Sequence, residues 1–202
     1  MPPLIVIGSR NKKKLDEIAQ ILAGTGFDFT DLSRWPDVPE ILEDGKTFEE
    51  NARKKAAELA RALNQWVIGE DSGLVVPALN GRPGIYSARY AGKHGDDVAN
   101  NERLLAELAP LPDDRRNAYY VCVAALADSQ GAIRAVVEGR CHGIITKESR
   151  GTGGFGYDPL FLIPEYHRTF GELSPIVKHA LSHRARALEQ LGPILRRLQG
   201  ES

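Results

Sequence analysis

The chain has 202 residues, 42% of them hydrophobic and 26% charged, a balance that supplies a sizeable core and suits one domain or two closely joined lobes. A formal net charge of −1 argues against a dedicated binder of nucleic acid working by phosphate neutralisation, while leaving room for a local basic pocket that takes a small polyphosphate. No run approaches the roughly 20 apolar residues that cross a bilayer, and the short apolar stretch Leu4–Ile7 with Lys12 close behind is no secretory leader, so a cytoplasmic protein without a membrane partner is expected.

Leu4-Ile5-Val6-Ile7 is a β-branched run ending in Gly8 and predicts a buried strand. Leu15, Ile18, Ala19 and Leu22 then recur at helical spacing until Gly24 and Gly26. Residues 28–33 suggest a second strand, and Pro36, Pro39 and the acidic residues 40–44 a loop. Thr47 with Glu50 three positions on is a capping box, and the helix it opens is expected to bury Phe48, Ala52, Ala56, Leu59 and Leu63. A third strand is predicted over 66–69, ending at Glu70-Asp71-Ser72-Gly73.

Asn80-Gly81 and Pro83-Gly84 signal turns in a long loop. A helix is predicted from about Asp96 to Leu108, closed by Pro110 and Pro112. Residues 119–127 and 133–139 read as two long strands joined by a turn at 128–131, with 141–146 continuing or adding to that sheet. From Ser182 onward the chain is helical with a break at Pro193. Strands and helices alternate early and a hairpin occupies the middle, which favours an α/β fold with a mixed sheet. Cys122 and Cys141 lack metal-ligand or CxxC spacing and are expected as free thiols in a reducing compartment.

Three regions carry candidate chemistry. The first strand runs into Ser9-Arg10-Asn11-Lys12-Lys13-Lys14, and a strand–loop–helix junction offers free N–H groups and a positive dipole end to an anion. Three lysines at a helix start oppose that dipole and cost stability unless an anion is bound. The alternative is a cap with a solvated basic turn. The loop is no Walker A sequence.

The second region is acidic. Asp71 is placed at a strand end, the point where α/β proteins meet their ligands, and Glu43 and Asp44 lie ahead of the capped helix. Such oxygen donors suit Mg²⁺, which takes one or two carboxylates plus substrate phosphates. Asp71 could hold the metal, activate water, or do both; the bland reading is a turn-capping aspartate. Asn51 and Lys55, four apart in the capped helix, project to one side and could reach a phosphate or simply face solvent.

The third region is Gly151-Thr152-Gly153-Gly154-Phe155-Gly156-Tyr157-Asp158-Pro159 with Lys178 and Ser182-His183-Arg184. Glycines allow close backbone approach, while Phe155 and Tyr157 offer faces for a nucleobase, worth about 1–3 kcal/mol per stack. Donors from Lys178, His183 or Arg184 could select a purine carrying a carbonyl at C6 and reject adenine, whose amino group leaves them unpaired. Read blandly, His183 is a surface histidine and Arg184 an ion-pair partner. Taken together, the three regions describe a nucleoside triphosphate.

At these residues the chain resembles the Ham1-like family of inosine triphosphate pyrophosphatases. Ser9-x-Asn11-x-x-Lys14-x-x-Glu17 is similar to the family's N-terminal motif, and Glu43-x-Gly45-x-Thr47-Phe48-x-x-Asn51 with Lys55 to its second block. Glu70-Asp71-Ser72-Gly73-Leu74 through Pro83-Gly84-Ile85-Tyr86-Ser87-Ala88-Arg89-Tyr90 resembles the third, and Gly154 to Pro159 with Lys178 and Ser182-His183-Arg184 the last. The resemblance implies Mg²⁺-dependent hydrolysis of ITP, dITP and XTP to monophosphate and pyrophosphate. It also implies a homodimer, and one domain over 1–202 with an elongated mixed sheet flanked by helices, its two lobes around a central nucleotide-binding cleft.

Carried over by position, Ser9, Arg10, Asn11, Lys12, Lys13, Lys14 and Lys55 would bind the triphosphate, and Asp71 would be the general base. Glu43 and Asp71 would lie near the metal, and Ser72 would contact substrate. Phe155, Gly156, Tyr157, Asp158, Lys178, His183 and Arg184 would hold the base. Two other classes fit the residues less well: a nucleotide sensor without hydrolysis, disfavoured by Asp71 and Glu43, and an RNA-binding module, disfavoured by the net charge.

Overall fold

The computed structural model describes residues 4–10 and 12–200; Asn11 lies outside the described residues, as do the side chains of Lys12 and Lys13. Seven strands form a sheet in the order β2-β1-β3-β4-β5-β6-β7, with β1 at Leu4–Ile7, β2 at Asp28–Thr30, β3 at Trp66–Val75, β4 at Asn117–Ala127, β5 at Ile133–Ile145, β6 at Phe161–Ile163 and β7 at Arg168–Thr169. Among the described residues five α-helices accompany them: α1 at Lys12–Ile21, α2 at Phe48–Leu63, α3 at Asp97–Leu108, α4 at Pro175–Leu181 and α5 at His183–Gly200. The expected mixed sheet is present. β1 runs parallel to both β2 and β3, whereas β6 is antiparallel to β5 and to β7.

The chain divides into two compact units, one made of the residues up to Asp71 with Cys122–Gly139 and those from Arg184 on, the other of Ser72–Val121 and Arg140–His183. In the first, β1 is buried on both faces, as a central parallel strand must be, with Ile5, Val6 and Ile7 at most 1% exposed. Ile5, Ile7, Ile68, Cys122, Ala124 and Leu126 of the sheet pack with Ile18 and Leu22 of α1 and Leu188, Leu191 and Leu195 of α5.

Helix α2 is set by its own cap: Thr47 Oγ1 accepts from the Glu50 N–H at 3.1 Å. The Glu50 carboxylate reaches past the cap residue to the Lys46 N–H, at 2.6 Å. The buried stripe of α2 is Asn51, Ala52, Ala56, Leu59 and Ala60, with Phe48 and Leu63 half-buried rather than enclosed as expected. Small residues there let the helix approach β3 closely. A Cβ on Gly69 would stand 2.5 Å from the Ala56 nitrogen and 2.6 Å from the Ala52 oxygen.

The second unit has its own core, in which Leu74, Leu104, Leu108, Tyr120, Cys141, Tyr157, Leu160, Phe161 and Phe170 meet. Helix α3 begins where its sequence places it, with Asp96 capping the Ala99 N–H at 3.2 Å. Both cysteines are free and buried.

Several boundaries differ from expectation. The second strand stops at Thr30 because the Asp31 side chain accepts from the Ser33 N–H at 2.9 Å and turns the chain. The third strand continues to Val75, so Asp71 stands in mid-strand instead of at its end. The segment 141–146 continues β5 up to Ile145. Pro193 does not break α5. The residue before it is Gly192, which has no Cβ to clash with the proline ring, and the carbonyl that loses its partner belongs to exposed Glu189. Among the described residues no helix is long and apolar enough to cross a membrane.

Candidate functional site

In the first unit, β1 delivers Ser9 to its C-terminal end, α1 delivers Lys14, α2 delivers Asn51 and Lys55, and β3 delivers Glu70 and Asp71. Ile7, Gly8, Ser9, Lys14, Lys55, Ile68 and Glu70 line a recess. Gly8 leaves little room beside the strand: a Cβ there would meet Leu59 Cδ1 at 2.9 Å and the Ile68 carbonyl at 3.2 Å. The first turn of α1 holds three lysines and no acid, as its sequence dictates.

Inside the recess each ammonium leans on an acid. Lys14 Nζ lies 3.6 Å from Glu70 Oε1. Lys55 Nζ donates to the Glu70 carbonyl at 3.0 Å and pairs with the Glu43 carboxylate. Asp71, 8% exposed, accepts at Oδ2 from Asn51 Nδ2 at 2.9 Å, and Asn51 Oδ1 accepts from the Gly45 N–H at 2.8 Å. Asn51 is therefore a bracket between the acidic loop and Asp71, which the i, i+4 spacing alone did not reveal. Arg10 is exposed and donates to the carbonyls of Val38 and Pro36, at 2.8 and 3.3 Å.

Glu70 is held from below. Arg184, 2% exposed, donates from Nε and Nη2 to its two oxygens at 2.9 and 2.8 Å and from Nη1 to Glu17 Oε2 at 2.7 Å. Burial by itself would lower the Arg184 pKa, but the charge and hydrogen bonds of Glu70, then Glu17, raise it well above the usual value. Glu70 and Glu17 were not singled out from the sequence, though both fall inside the quoted motifs.

The second unit brings Phe155, Gly156, Tyr157, Asp158, Lys178 and His183 together. Asp158 is 3% exposed. Its Oδ2 accepts from the Phe155 N–H at 2.8 Å and from Lys178 Nζ, and its Oδ1 lies 3.4 Å from the Tyr120 hydroxyl. Burial pushes the Asp158 carboxyl up, against the pull of Lys178 and the Phe155 N–H. Gly154 has φ +79°, and a Cβ there would strike Asp158.

Lys178 Nζ lies 4.7 Å from the Phe155 ring centroid, and Phe155 itself is 46% exposed. The Tyr157 hydroxyl turns inward, donating to the Ser87 carbonyl at 2.9 Å. His183 is buried and stacks on Tyr120 with centroids 4.8 Å apart, 13° from parallel. Ser182 donates to the His179 carbonyl at 3.3 Å, and Ser72 is half-buried in β3. Tyr120 gave no sequence signal for the site, because it reaches Asp158 from 38 residues away.

Among the described residues no group of three or more His, Cys, Asp or Glu side chains could hold a metal. Glu43, which pairs with Lys55, and Asp71, held by Asn51, offer carboxylate oxygens, the donor type that a hard cation takes. A lysine-lined recess at the end of β1, next to a bracketed aspartate, defines a protein of the class that handles phosphorylated small molecules. The chain belongs to the Ham1 family, whose model matches residues 5–194.

The dITP/XTP pyrophosphatase of Rhodopirellula baltica is 54% identical over 194 residues, 96% of this chain and 93% of that protein. That of Geobacter sulfurreducens is 51% identical over 187 residues, 93% of this chain and 94% of that protein. Among solved structures, a HAM1 protein from Coxiella burnetii superposes with a TM-score of 0.89 at 40% identity, covering 96% of this chain and 99% of that one.

Proposed function

We propose that this chain is a dITP/XTP pyrophosphatase, hydrolysing the non-standard purine nucleotides ITP, dITP and XTP to monophosphate and pyrophosphate and so clearing them from the nucleotide pool. The observation that carries the reading is the recess of Ser9, Lys14 and Lys55 beside an aspartate held by Asn51. The close relatives that share the name supply the reaction.

Ser9, Arg10, Asn11, Lys12, Lys13, Lys14 and Lys55 bind the triphosphate in this reading. Lys14 and Lys55 exchange their carboxylate partners for phosphate oxygens and neutralise charge on the leaving pyrophosphate. Asp71 takes a proton from water, the hydroxyl oxygen bonds to phosphorus, and the linkage between the α- and β-phosphates breaks. Asn51 fixes the aspartate for that transfer. Glu43 and Asp71 would hold Mg²⁺, which when bound supplies charge neutralisation along the phosphates.

Phe155, Gly156, Tyr157, Asp158, Lys178 and His183 hold the base, and Ser72 contacts the substrate. Arg184, enclosed by Glu70 and Glu17, acts through Glu70. We further propose that residues 1–202 work as one domain, as a homodimer, in the cytoplasm.

The test is a product assay with Mg²⁺ on ITP, XTP, ATP and GTP, scoring pyrophosphate against orthophosphate. Selective pyrophosphate release from ITP and XTP is expected. Orthophosphate, or equal use of ATP, would overturn the cleavage or the selectivity.

A further inference from the structure

We infer that Asp97 and Asn101 of α3 are positioning residues for base selection, acting through the Gly156 peptide; this rests on the reading that the loop at Phe155–Asp158 holds the base. The two side chains stand one helical turn apart on α3. Asp97 Oδ2 accepts from the Gly156 N–H at 2.7 Å, and Asn101 Nδ2 donates to the Gly156 carbonyl at 2.9 Å. Both polar groups of one loop residue are thus held by one helix, itself capped by Asp96 and buried through Leu104 and Leu108.

Gly156 needs such a hold. It has φ +61°, a conformation open to glycine, and nothing stands within 4 Å of where its Cβ would be, so side-chain packing does not fix it. Asn101 also carries a cost. Its Oδ1 is buried without a hydrogen-bond partner among the described residues, because the amide is turned to present Nδ2 to Gly156. Gly156 is flanked by Phe155 and Tyr157, so a rotation of its peptides would displace the exposed Phe155 face and the backbone leading to Asp158.

Because hydrogen-bond selectivity depends on donors meeting one substrate edge and not another, loosening this peptide erodes discrimination more than turnover.

The experiment compares kcat and KM for ITP and ATP in wild type, Asn101→Asp, Asp97→Ala and Asp97→Asn, with circular dichroism and Tm for each. Asn101→Asp keeps the shape and replaces the donor by an acceptor; Asp97→Asn keeps an acceptor and is the conservative rescue. The inference expects the ITP-to-ATP ratio of kcat/KM to fall about tenfold in Asn101→Asp and Asp97→Ala, the loss of roughly one hydrogen bond. KM for ITP should carry the change, kcat should stay within a factor of two or so, and Asp97→Asn should recover most of the ratio. Folded variants that keep the wild-type ratio would overturn the clamp alone. Wild type that releases no pyrophosphate from ITP would overturn the functional reading, and the inference with it.

Discussion

Asn51 ties the acidic loop to the mid-strand aspartate: its carbonyl oxygen holds the Gly45 N–H and its amide nitrogen holds Asp71, at 2.8 and 2.9 Å. Asp71→Asn should abolish pyrophosphate release while nucleotide binding stays measurable. Asn51→Ala should leave a folded enzyme with kcat reduced about 10²-fold, the lower range for a disturbed general base. Turnover by Asp71→Asn at the wild-type rate would remove that residue from the proton transfer.

On the proposed reading, the two recess lysines should differ in kind from the loop at Phe155–Asp158. Lys55→Ala frees Glu43 and, on the proposed reading, removes a cation from the triphosphate, so KM for ITP and XTP should rise together, by about tenfold, with the ITP-to-ATP ratio unchanged. The KM effect should shrink as ionic strength rises, since salt screens the interaction in wild type as well. A change of base preference in this variant would contradict the division of labour.

Removing Arg184 takes the bound guanidinium from two buried carboxylates, Glu70 and Glu17, leaving Lys14 at 3.6 Å as a cation beside Glu70. Arg184→Ala should therefore destabilise the protein by about 3–5 kcal/mol, the usual cost of orphaning one side of a buried ion pair. A Tm close to wild type would show that water or Lys14 replaces it.

Gly69→Ala tests how closely α2 approaches β3. The added methyl meets the backbone of Ala52 and Ala56, which cannot swing aside as a side chain would. The expected loss is about 1–3 kcal/mol, read as a lower urea midpoint with m unchanged.

A pH effect follows from Glu107. Burial would raise its pKa, but hydrogen bonds from Tyr90 and Arg103 and the charge of Arg82 outweigh it and hold the carboxyl below its ordinary value. Tyr90, buried and donating to the same carboxylate, is pushed up to about 12. A lowered carboxyl pKa gives stability that is fully present above the unfolded value near 4.3 and is lost as pH falls through the lower folded value. Glu107→Gln should thus flatten the fall in Tm below about pH 5 relative to wild type. An acid limb with unchanged slope would count against it.

Local signals were readable where cause and effect are close in sequence. Thr47 and Asp96 cap the helices they precede, and the apolar run Leu4–Ile7 is a buried interior strand. The motif residues Lys14 and Asp71 were legible as chemistry, but their partners Glu70 and Asn51 were not, because they arrive from other elements; likewise Arg184 reaches Glu17 across 167 positions and Asp97 reaches Gly156 across 59. Helix α4 and the strands β6 and β7 are too short to carry a periodic pattern, the last being Arg168–Thr169. Pro193 misled because its effect depends on Gly192 before it and on an exposed carbonyl behind it.

The ion pairs of Arg184 set an order of events in biosynthesis. Glu17 and Glu70 leave the ribosome early, while the guanidinium that balances them, and Leu188, Leu191 and Leu195 that complete the core around β1, come on the last helix. Until α5 has emerged, enclosing the two carboxylates is unfavourable and they stay hydrated. The lysine-lined recess that includes Glu70 is therefore assembled at the end of translation, and a chain stopped short of residue 184 carries the motif lysines without the framework that aims them.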